Sequence, residues 1–489
     1  MKQKGNTHEG ASALDDGLLA LALAFALIIG IRFIDYAYDD AYITYRYARN
    51  LAAGHGLVYN LGQDFLGTTT PLYSLLLAAL SPWIAIPKAS GILSLISLLG
   101  AISCCEALGR QARIRFAGPM AALFLVTEPQ IYQIFGGETL LVYFLLPPAG
   151  LVLHQSGRTR SAALVFGLAI LGRMDAGLFV GLVYGFDLLQ NRRIPVLECM
   201  LVGALLLPWF LYSYLVFGQL FPATLETKMA MGESGVWKLF FPGSLDYLTG
   251  LTPYQSGLAG IFVPLLAVGL WRVLRTERIW LFFLGTSLLF AIIYQWILAS
   301  AFSHWYLASL YFTHALLLGA GLRQIGDFIR ALEGPPQTPA RRNLRSATQG
   351  ALLAAAVVFA WFGADRTLEF NLQPPRRQLY TDIGNWIETR TRKDESVAYF
   401  EIGYLGWFSQ RTIVDPVGLV TPGGLDSIRQ GRLHWIFEKH APDYFIHNSI
   451  RQADPLLASQ AFRRRYQEIE RFKAEGYPGE LILFKRRKG

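Results

Sequence analysis

Two adjacent carboxylates, Asp39 and Asp40, are the residues of this chain best suited to acid–base chemistry. They follow the first apolar stretch and begin a segment, 41–53, whose composition predicts a helix ended by the Gly-His-Gly at 54–56. One aspartate would suffice to cap such a helix and to interact with its dipole. Two interpretations therefore stand side by side: a structural cap, or a pair in which one carboxylate takes a proton from a substrate hydroxyl.

Further polar residues lie between the later apolar stretches and are candidates for binding a charged substrate. They are Glu138, Arg173, Asp175, Lys228, His304 and Tyr306. Arg173, Lys228 and His304 could hold a phosphate leaving group, since stabilising a developing negative charge is a large catalytic effect. Each also has a structural explanation: an ion pair of Arg173 with Asp175, a solvated lysine, an interfacial aromatic belt around His304 and Tyr306, and a helix end at Glu138.

Several function classes lack their sequence signatures. The chain has no P-loop, no dinucleotide-binding glycine pattern and no zinc-ligand spacing, so we expect no bound metal and no required cofactor, although a divalent cation near the carboxylates would be compatible. The three cysteines lie in apolar stretches and are interpreted as small hydrophobic residues. The net charge of +9 is concentrated in short loops, which argues against nucleic acid as a partner.

Composition predicts that these residues are positioned by membrane-spanning helices. Of the 489 residues 53% are hydrophobic and only 16% charged, and the apolar residues form long uninterrupted stretches. We expect an α-helical polytopic membrane protein with about 11 transmembrane helices. The predicted spans are residues 17–34, 90–109, 117–133, 139–155, 161–172, 175–190, 195–217, 256–271, 279–299, 305–322 and 350–364.

One further apolar stretch, residues 71–87, is predicted to lie in the outer interface without crossing. With this assignment the loops rich in arginine, such as 110–115 and 272–278, fall on the same side of the membrane. Positive loops face the cytoplasm, so the N-terminus is predicted inside and the C-terminus outside. The first outer loop, residues 35–89, then carries the aspartate pair and interfacial helices.

Beyond residue 364 the chain is predicted to form a small extracytoplasmic α/β domain, residues 365–489, following a transmembrane domain of residues 1–364. Pro374 and Pro375 mark the linker between them. Residues 378–390 have helical spacing, and short strands are predicted at 396–400, 412–414, 443–447 and 481–484. This alternation is typical of an α/β fold.

An ordered set of motifs resembles one family. Asp39-Asp40-Ala-Tyr-Ile-Thr-Tyr-Arg-Tyr-Ala-Arg-Asn-Leu resembles the first outer loop of bacterial GT-C arabinofuranosyltransferases, in particular the mycobacterial-type enzymes that add terminal β-(1→2)-arabinofuranose. The resemblance continues through further motifs along nearly the whole chain. They are Gly136-Gly-Glu-Thr139, Gly172-Arg-Met-Asp-Ala-Gly177, Phe221-Pro-Ala-Thr-Leu-Glu-Thr-Lys228, His304-Trp-Tyr306, Ile402-Gly-Tyr-Leu-Gly406 and Val414-Asp-Pro-Val-Gly-Leu419.

The resemblance implies an inverting transfer of a sugar from a polyprenyl-phosphate donor to a hydroxyl of a cell-envelope glycan. It also implies that Asp39 or Asp40 is the general base. Our own hypothesis adds that the other polar residues named above contact the donor, with its phosphate held by some of Lys228, Arg173 and His304. The chain departs from the family pattern at residues 65–70, where it reads Phe-Leu-Gly-Thr-Thr-Thr, at Met174 and at Ala223.

The expected partners are therefore a lipid-linked sugar, a glycan acceptor and membrane lipid, in the bacterial cytoplasmic membrane with the active site outside. Two alternatives are a transporter or flippase of lipid-linked glycan and a GT-C transferase acting on protein or lipid A. Transporters place charged groups near the midplane and contain inverted repeats, whereas here the polar residues cluster at one face and no repeat is visible.

Overall fold

The computed structural model describes residues 6–114, 116–248, 259–276, 278–333, 339–372, 374–450, 457 and 460–487. Twenty-one α-helices are found within these ranges, and we number them in chain order. The first twelve are α1 Asn6–Arg32, α2 Asp39–Ala52, α3 Pro71–Leu80, α4 Ile86–Gln111, α5 Ala117–Thr127, α6 Pro129–Gln133, α7 Leu146–Gln155, α8 Thr159–Gly172, α9 Gly177–Gln190, α10 Val196–Phe217, α11 Ala223–Glu233 and α12 Phe240–Leu248. The remaining nine are α13 Ala259–Arg275, α14 Leu281–Ile292, α15 Ala308–Glu333, α16 Pro339–Leu368, α17 Pro375–Arg390, α18 Ile402–Ser409, α19 Leu425–Arg429, α20 Trp435–Lys439 and α21 Gln460–Arg465.

A mostly helical bundle forms the part of the chain up to α16, as the apolar stretches predict. The predicted spans consist mostly of helical residues. Residue 128 interrupts the third, the first and the ninth extend two residues past a helix end, and residues 256–258 of the eighth lie outside the described residues. Among the described residues four helices are long and apolar enough to cross a membrane: Leu14–Arg32, Ile86–Gln111, Val196–Phe217 and Trp305–Ile329. The total of 11 spans stays a prediction.

The stretch at 71–87, which is predicted not to cross, contains one short helix, and its place in the interface stays a prediction. Its helix, α3, has ten residues and begins at Pro71, a residue that favours the first turn because it needs no backbone N–H partner. Ten residues reach about 15 Å, half the thickness of the hydrocarbon core. With α2 it supplies the two short helices of the first outer loop.

The C-terminal part contains the predicted small sheet. Its strands are β1 Ser396–Ala398, β2 Thr412–Val414, β3 Tyr444–Asn448, β4 Tyr466–Phe472 and β5 Leu481–Arg486, in the order β2-β1-β3-β5-β4. The pairs of β1 with β2 and β3 are parallel, whereas β5 pairs antiparallel with β3 and β4. The predicted α/β character is confirmed; β4 is a strand that the sequence did not predict.

The first outer loop and the C-terminal part share one hydrophobic core. Tyr42, Tyr45 and Tyr59 of the loop are buried in the same cluster as Ile383 and Val397. A buried arginine reinforces this contact: Arg46 donates to the backbone carbonyls of Gly406 at 2.8 Å and of Arg411 at 2.7 Å. The loop that carries the aspartate pair is thus positioned by both parts of the chain.

Candidate functional site

A cavity of about 440 Å³ lies where the first outer loop, the helical bundle and the C-terminal part meet. Helix α2, residues 67–70 and helix α11 form part of its wall, and Leu419 and Val420 of the C-terminal part reach it as well. The predicted site residues that line it are Asp40, Glu138, Arg173, Asp175, Lys228 and Tyr306. Residues that lie far apart in sequence, from 40 to 306, therefore meet in one space, as the motifs predicted.

The two aspartates have different surroundings. Asp39 is not among the lining residues; its carboxylate accepts hydrogen bonds from the backbone N–H groups of Gly403 at 3.1 Å and Tyr404 at 2.8 Å. Asp39 thus satisfies free N–H groups in the first turn of α18, the contribution that a capping side chain makes. Asp40 faces the cavity, and no described residue donates a hydrogen bond to its carboxylate or forms an ion pair with it.

The pKa values of both aspartates are raised. Burial is the main cause for each, and the Glu401 carboxylate adds to it. The Lys228 ammonium, facing the same cavity, lowers the pKa of Asp40 but does not cancel the effect of burial. A carboxylate with a raised pKa is a stronger base once deprotonated, so Asp40 has the chemistry of a general base.

Arg173 is bound between two carboxylates. Its Nη1 lies 3.2 Å from Glu138 Oε1 and its Nη2 lies 2.9 Å from Asp175 Oδ2. The positive charge of Arg173 is therefore already balanced by carboxylates within the protein. The structural explanation given above, a local ion pair, describes the Arg173–Asp175 contact.

Two tyrosines that the sequence did not indicate complete this cluster. Tyr143 accepts a hydrogen bond from Arg173 Nε at 3.0 Å and donates to Asp175, and Tyr294 donates to Asp175 Oδ2 at 2.9 Å. Both tyrosines lie in short π-helical segments, Leu140–Leu145 and Ile293–Ile297. Such π-helical turns often occur at functional sites because they redirect side chains.

Lys228 is the cavity cation without a carboxylate partner among the described side chains. Its Nζ donates to Ser303 Oγ at 3.2 Å and lies 5.9 Å from the centre of the Trp305 ring. The side chain is half-buried, and its own N–H donors exceed the one hydroxyl that accepts from them. Lys228 is thus placed to bind an anion. The side chain of His304 lies outside the described part of the structure.

A turn of the C-terminal part reaches the cavity next to these residues. Asp415 accepts hydrogen bonds from the backbone N–H groups of Val417 at 2.9 Å and Leu419 at 2.6 Å, which fixes the turn that presents Leu419. Burial raises the pKa of Asp415 to about 7. Thr227 of α11 donates to the carbonyl of Gly418 at 3.2 Å and attaches this turn to the bundle.

Among the described residues no group of three or more histidine, cysteine, aspartate or glutamate side chains is arranged to hold a metal ion. The carboxylates of the cavity are either bound to Arg173 or, in the case of Asp40, isolated. The cavity therefore presents the Asp40 carboxylate, the Lys228 ammonium and the ion-pair cluster of Arg173.

Comparisons with known proteins support the fold. Residues 369–486 match a family described as a domain of unknown function, DUF8728. No curated protein sequence matches the chain. Among solved structures, ArnT from Cupriavidus metallidurans bound to undecaprenyl phosphate superposes with a TM-score of 0.62 at 13% identity, covering 96% of this chain and 98% of ArnT.

The archaeal oligosaccharyltransferase AglB from Archaeoglobus fulgidus, in complex with an inhibitory peptide and a dolichol-phosphate, gives a TM-score of 0.59 at 11% identity, covering 97% of this chain and 74% of AglB. The apo form of the Archaeoglobus fulgidus oligosaccharyltransferase gives 0.57 at 12% identity, covering 89% of this chain and 69% of its own. At these identities the likeness concerns the fold alone: a helical bundle followed by a small C-terminal α/β part, as predicted from the sequence.

Proposed function

We propose that this protein is an inverting glycosyltransferase that moves a sugar from a polyprenyl-phosphate donor to a hydroxyl of a cell-envelope glycan. The observation that supports it best is that one cavity contains both the Asp40 carboxylate and the Lys228 ammonium. Among the described residues the first has no hydrogen-bond donor and the second has no carboxylate partner. These are the two groups that such a transfer needs: a base for the acceptor and a cation for the departing phosphate.

The donor class is inferred from the fold and from the motifs. ArnT and AglB, which share the fold, have been solved with undecaprenyl phosphate and with a dolichol-phosphate, and both ligands are polyprenyl phosphates. The motif around Asp39 and Asp40 resembles that of arabinofuranosyltransferases, so arabinofuranose is the favoured sugar. We assign the cavity to the extracytoplasmic face of the bacterial cytoplasmic membrane because the loops predicted on the other side contain most of the loop arginines.

The proposed reaction proceeds in one displacement. The Asp40 carboxylate removes the proton of the acceptor hydroxyl while that oxygen forms a bond to the anomeric carbon of the donor. The bond between the anomeric carbon and the phosphate oxygen breaks on the opposite face, which inverts the configuration. The polyprenyl phosphate leaves with the electron pair, and Lys228 stabilises its additional negative charge. Asp40 then releases the proton to solvent.

Arg173 has a positioning role in this proposal. Its two ion pairs keep Glu138 and Asp175 in place, and its guanidinium lies 5.9 Å from the ring centre of Tyr306. The cluster fixes the aromatic and carboxylate surface next to Lys228, so that the phosphate meets a rigid environment. Pre-organised groups of this kind stabilise charge without having to rearrange during the reaction.

The test is transfer by the purified protein in detergent from synthetic polyprenyl-phosphate sugars. Asp40→Asn is expected to lose about 10²- to 10⁴-fold in rate, the usual contribution of a general base. Asp39→Asn is expected to retain transfer, because Asp39 contacts α18 and not the cavity. Asp64→Asn, an exposed loop residue, is the matched control. Full transfer by a folded Asp40→Asn protein would contradict the assignment of the base.

A further inference from the structure

We propose that one end of the cavity binds the acceptor and selects an uncharged sugar. Six hydroxyl side chains, which we call the hydroxyl wall, line this part: Thr44, Tyr47, Thr68, Thr69, Thr70 and Thr224. The inference rests on the proposed glycosyl transfer and deepens it, because it names the substrate that the base meets. Half of the wall is the threonine run that departs from the family pattern.

Two hydroxyls of the wall are buried and have no acceptor among the described residues: Tyr47 Oη, which has the backbone N–H of Gly67 beside it, and Thr224 Oγ1. Tyr47 is fully buried and Thr224 is 9% exposed, and both line the cavity. A buried hydroxyl without an acceptor costs free energy. Other such atoms occur elsewhere among the described residues, but these two face the cavity, where a ligand can supply the missing hydrogen bonds.

The wall begins next to the proposed base. Asp40, Thr44 and Tyr47 are spaced by four and three residues on α2, so they share one face of that helix. From Asp40 to Tyr47 the helix rises about 10 Å, which provides a continuous surface leading away from the carboxylate. A substrate lying along this surface would present a hydroxyl to Asp40 at one end, which is the position of an acceptor.

The chemistry of the wall favours a neutral ligand. Its members are hydroxyls that can donate and accept, and Leu419 and Val420 are the apolar residues beside them. The wall itself contains no charged side chain. Of the cavity cations, Arg173 is bound to Glu138 and Asp175, and Lys228, one turn after Thr224 on α11, lies at the boundary of the wall. An uncharged sugar matches alternating donors and acceptors of this kind, while an acidic acceptor would compete with the donor phosphate for Lys228.

The end of the wall is closed by tight packing. A Cβ atom added to Gly67 would lie 2.6 Å from Tyr47 Oη and 2.7 Å from the carbonyl oxygen of Leu419, so this glycine allows the first outer loop to approach the C-terminal part. The backbone N–H of Ala223 donates to the carbonyl of Leu66 at 2.9 Å and brings Thr224 to the same place. Three separate parts of the chain thus build the wall.

The experiment compares Tyr47→Phe and Thr224→Val with two controls that also remove a buried hydroxyl without a described partner, Tyr184→Phe and Ser213→Ala. The KM for a neutral oligosaccharide acceptor is expected to rise about fivefold for each cavity variant, the effect of one hydrogen bond, with kcat and the donor KM unchanged. The controls are expected to keep the KM of the wild type. The unfolding temperature of the cavity variants should not fall, because each variant loses a hydroxyl for which the described protein provides no acceptor.

Each other outcome is informative. A rise in the donor KM alone would overturn the inference and assign the wall to the donor sugar. Transfer to a peptide but not to an oligosaccharide would also overturn it, as would unchanged acceptor KM in both variants. If the wild type transfers no sugar from any polyprenyl phosphate, the proposed function fails, and calorimetric binding of neutral pentose and hexose oligosaccharides then tests the wall by itself. If the double variant Tyr47→Phe/Thr224→Val binds such an oligosaccharide more weakly than the wild type, the inference is supported. If both bind equally, or if neither binds, it is refuted.

Discussion

Arg173 and Lys228 are both cations of the cavity, but their surroundings give them different tasks. Arg173 is 8% exposed and lies between two carboxylates, so it neutralises charge that already belongs to the protein. Lys228 contacts a hydroxyl and an aromatic ring and keeps its charge for a ligand. Removing either cation should reduce transfer, yet only the loss of Arg173 should lower the stability of the fold.

Arg173→Met is therefore expected to lower the free energy of unfolding by about 3–5 kcal/mol, the usual effect of removing one partner of a buried ion pair. Glu138 and Asp175 would remain close together without a cation between them. Lys228→Met should leave the unfolding temperature nearly unchanged while weakening donor binding. Thermal unfolding of both variants in the same detergent measures the difference; equal unfolding temperatures would contradict it.

The raised pKa of Asp40 predicts the pH dependence of transfer. The base must be deprotonated, so kcat/KM is expected to rise with pH along an acid limb whose midpoint lies above the ordinary aspartate value of 3.8. Activity is lost as pH falls through that midpoint. The residual transfer of Asp40→Asn should lack the limb, whereas Asp39→Asn should retain it. If the acid limb persists in Asp40→Asn, the titrating group is a residue other than Asp40.

At the scale of residues, the sequence predicted polar side chains that share one cavity, but not the neighbours that each of them has. Six of the eight predicted residues line the cavity. Adjacent aspartates in one helix point in different directions, and only the tertiary contact with α18 distinguishes Asp39 from Asp40. Tyr143 and Tyr294 were missed because an aromatic residue in an apolar stretch has the pattern of a core residue, and π-helical turns leave no periodic signal.

Helix α18 shows what the elements contribute. It packs against α2 through two glycines of the motif at 402–406. A Cβ atom added to Gly403 would lie 1.7 Å from the carbonyl oxygen of Asp39, and one added to Gly406 would lie 2.9 Å from Arg46 Nη1. The two helices therefore approach more closely than side chains would allow, which brings the N–H groups of α18 within reach of the Asp39 carboxylate.

Gly403→Ala is accordingly expected to destabilise the protein by about 1–3 kcal/mol, the usual cost of inserting an atom into a packed contact. Because α2 would be displaced along with Asp40, transfer should fall as well. Gly181→Ala is the matched control, since nothing lies within 4 Å of a Cβ atom at that helical position. It should be neutral or stabilise α9 by up to about 1 kcal/mol. Denaturant unfolding of both variants measures these effects, and comparable losses would refute the contact.

The prediction of elements succeeded where the pattern was strong. The apolar stretches predicted the helices of the bundle, and short β-branched segments predicted four of the five strands. Strand β4 was missed because most of its side chains are exposed, so it lacks the alternation of buried and exposed residues that indicates a strand. The motif at 402–406 was identified by resemblance, and its packing role became visible only in the structure.

At the scale of the whole molecule, two parts that are separate in sequence have a common interior. The first outer loop contributes to the hydrophobic core of the C-terminal part, and α11 contributes Ala230 and Met231 to another cluster with Val414 and Ile428. Composition showed where the chain changes character, near residue 364. It could not show this joint core, because burial between distant segments leaves no local pattern in either one.

Weakening the contact between the first outer loop and the C-terminal part should make the segment that connects the bundle to the C-terminal part more accessible to protease. Arg46 is buried and donates to carbonyls of the C-terminal part, whereas Arg49 is half-buried and donates to one, that of Trp407 at 3.1 Å. Arg46→Met is expected to speed tryptic cleavage at Arg376 and Arg377, and Arg49→Met should have a smaller effect. Limited proteolysis of the detergent-solubilised protein measures both rates. Identical rates would show that Arg46 does not hold the two parts together.

The bond between Asp39 and α18 also decides how this protein tolerates change. Asp39 binds backbone N–H groups, which every residue except proline provides. The contact therefore does not depend on the side chain at 404, but it requires glycine at 403 and is sensitive to where the helix starts. An insertion of one residue ahead of Ile402 would turn α18 by about 100° relative to α2. Chimeras that graft a divergent C-terminal part onto this bundle are therefore limited by helix register and by the small residues at the contact, and much less by sequence identity.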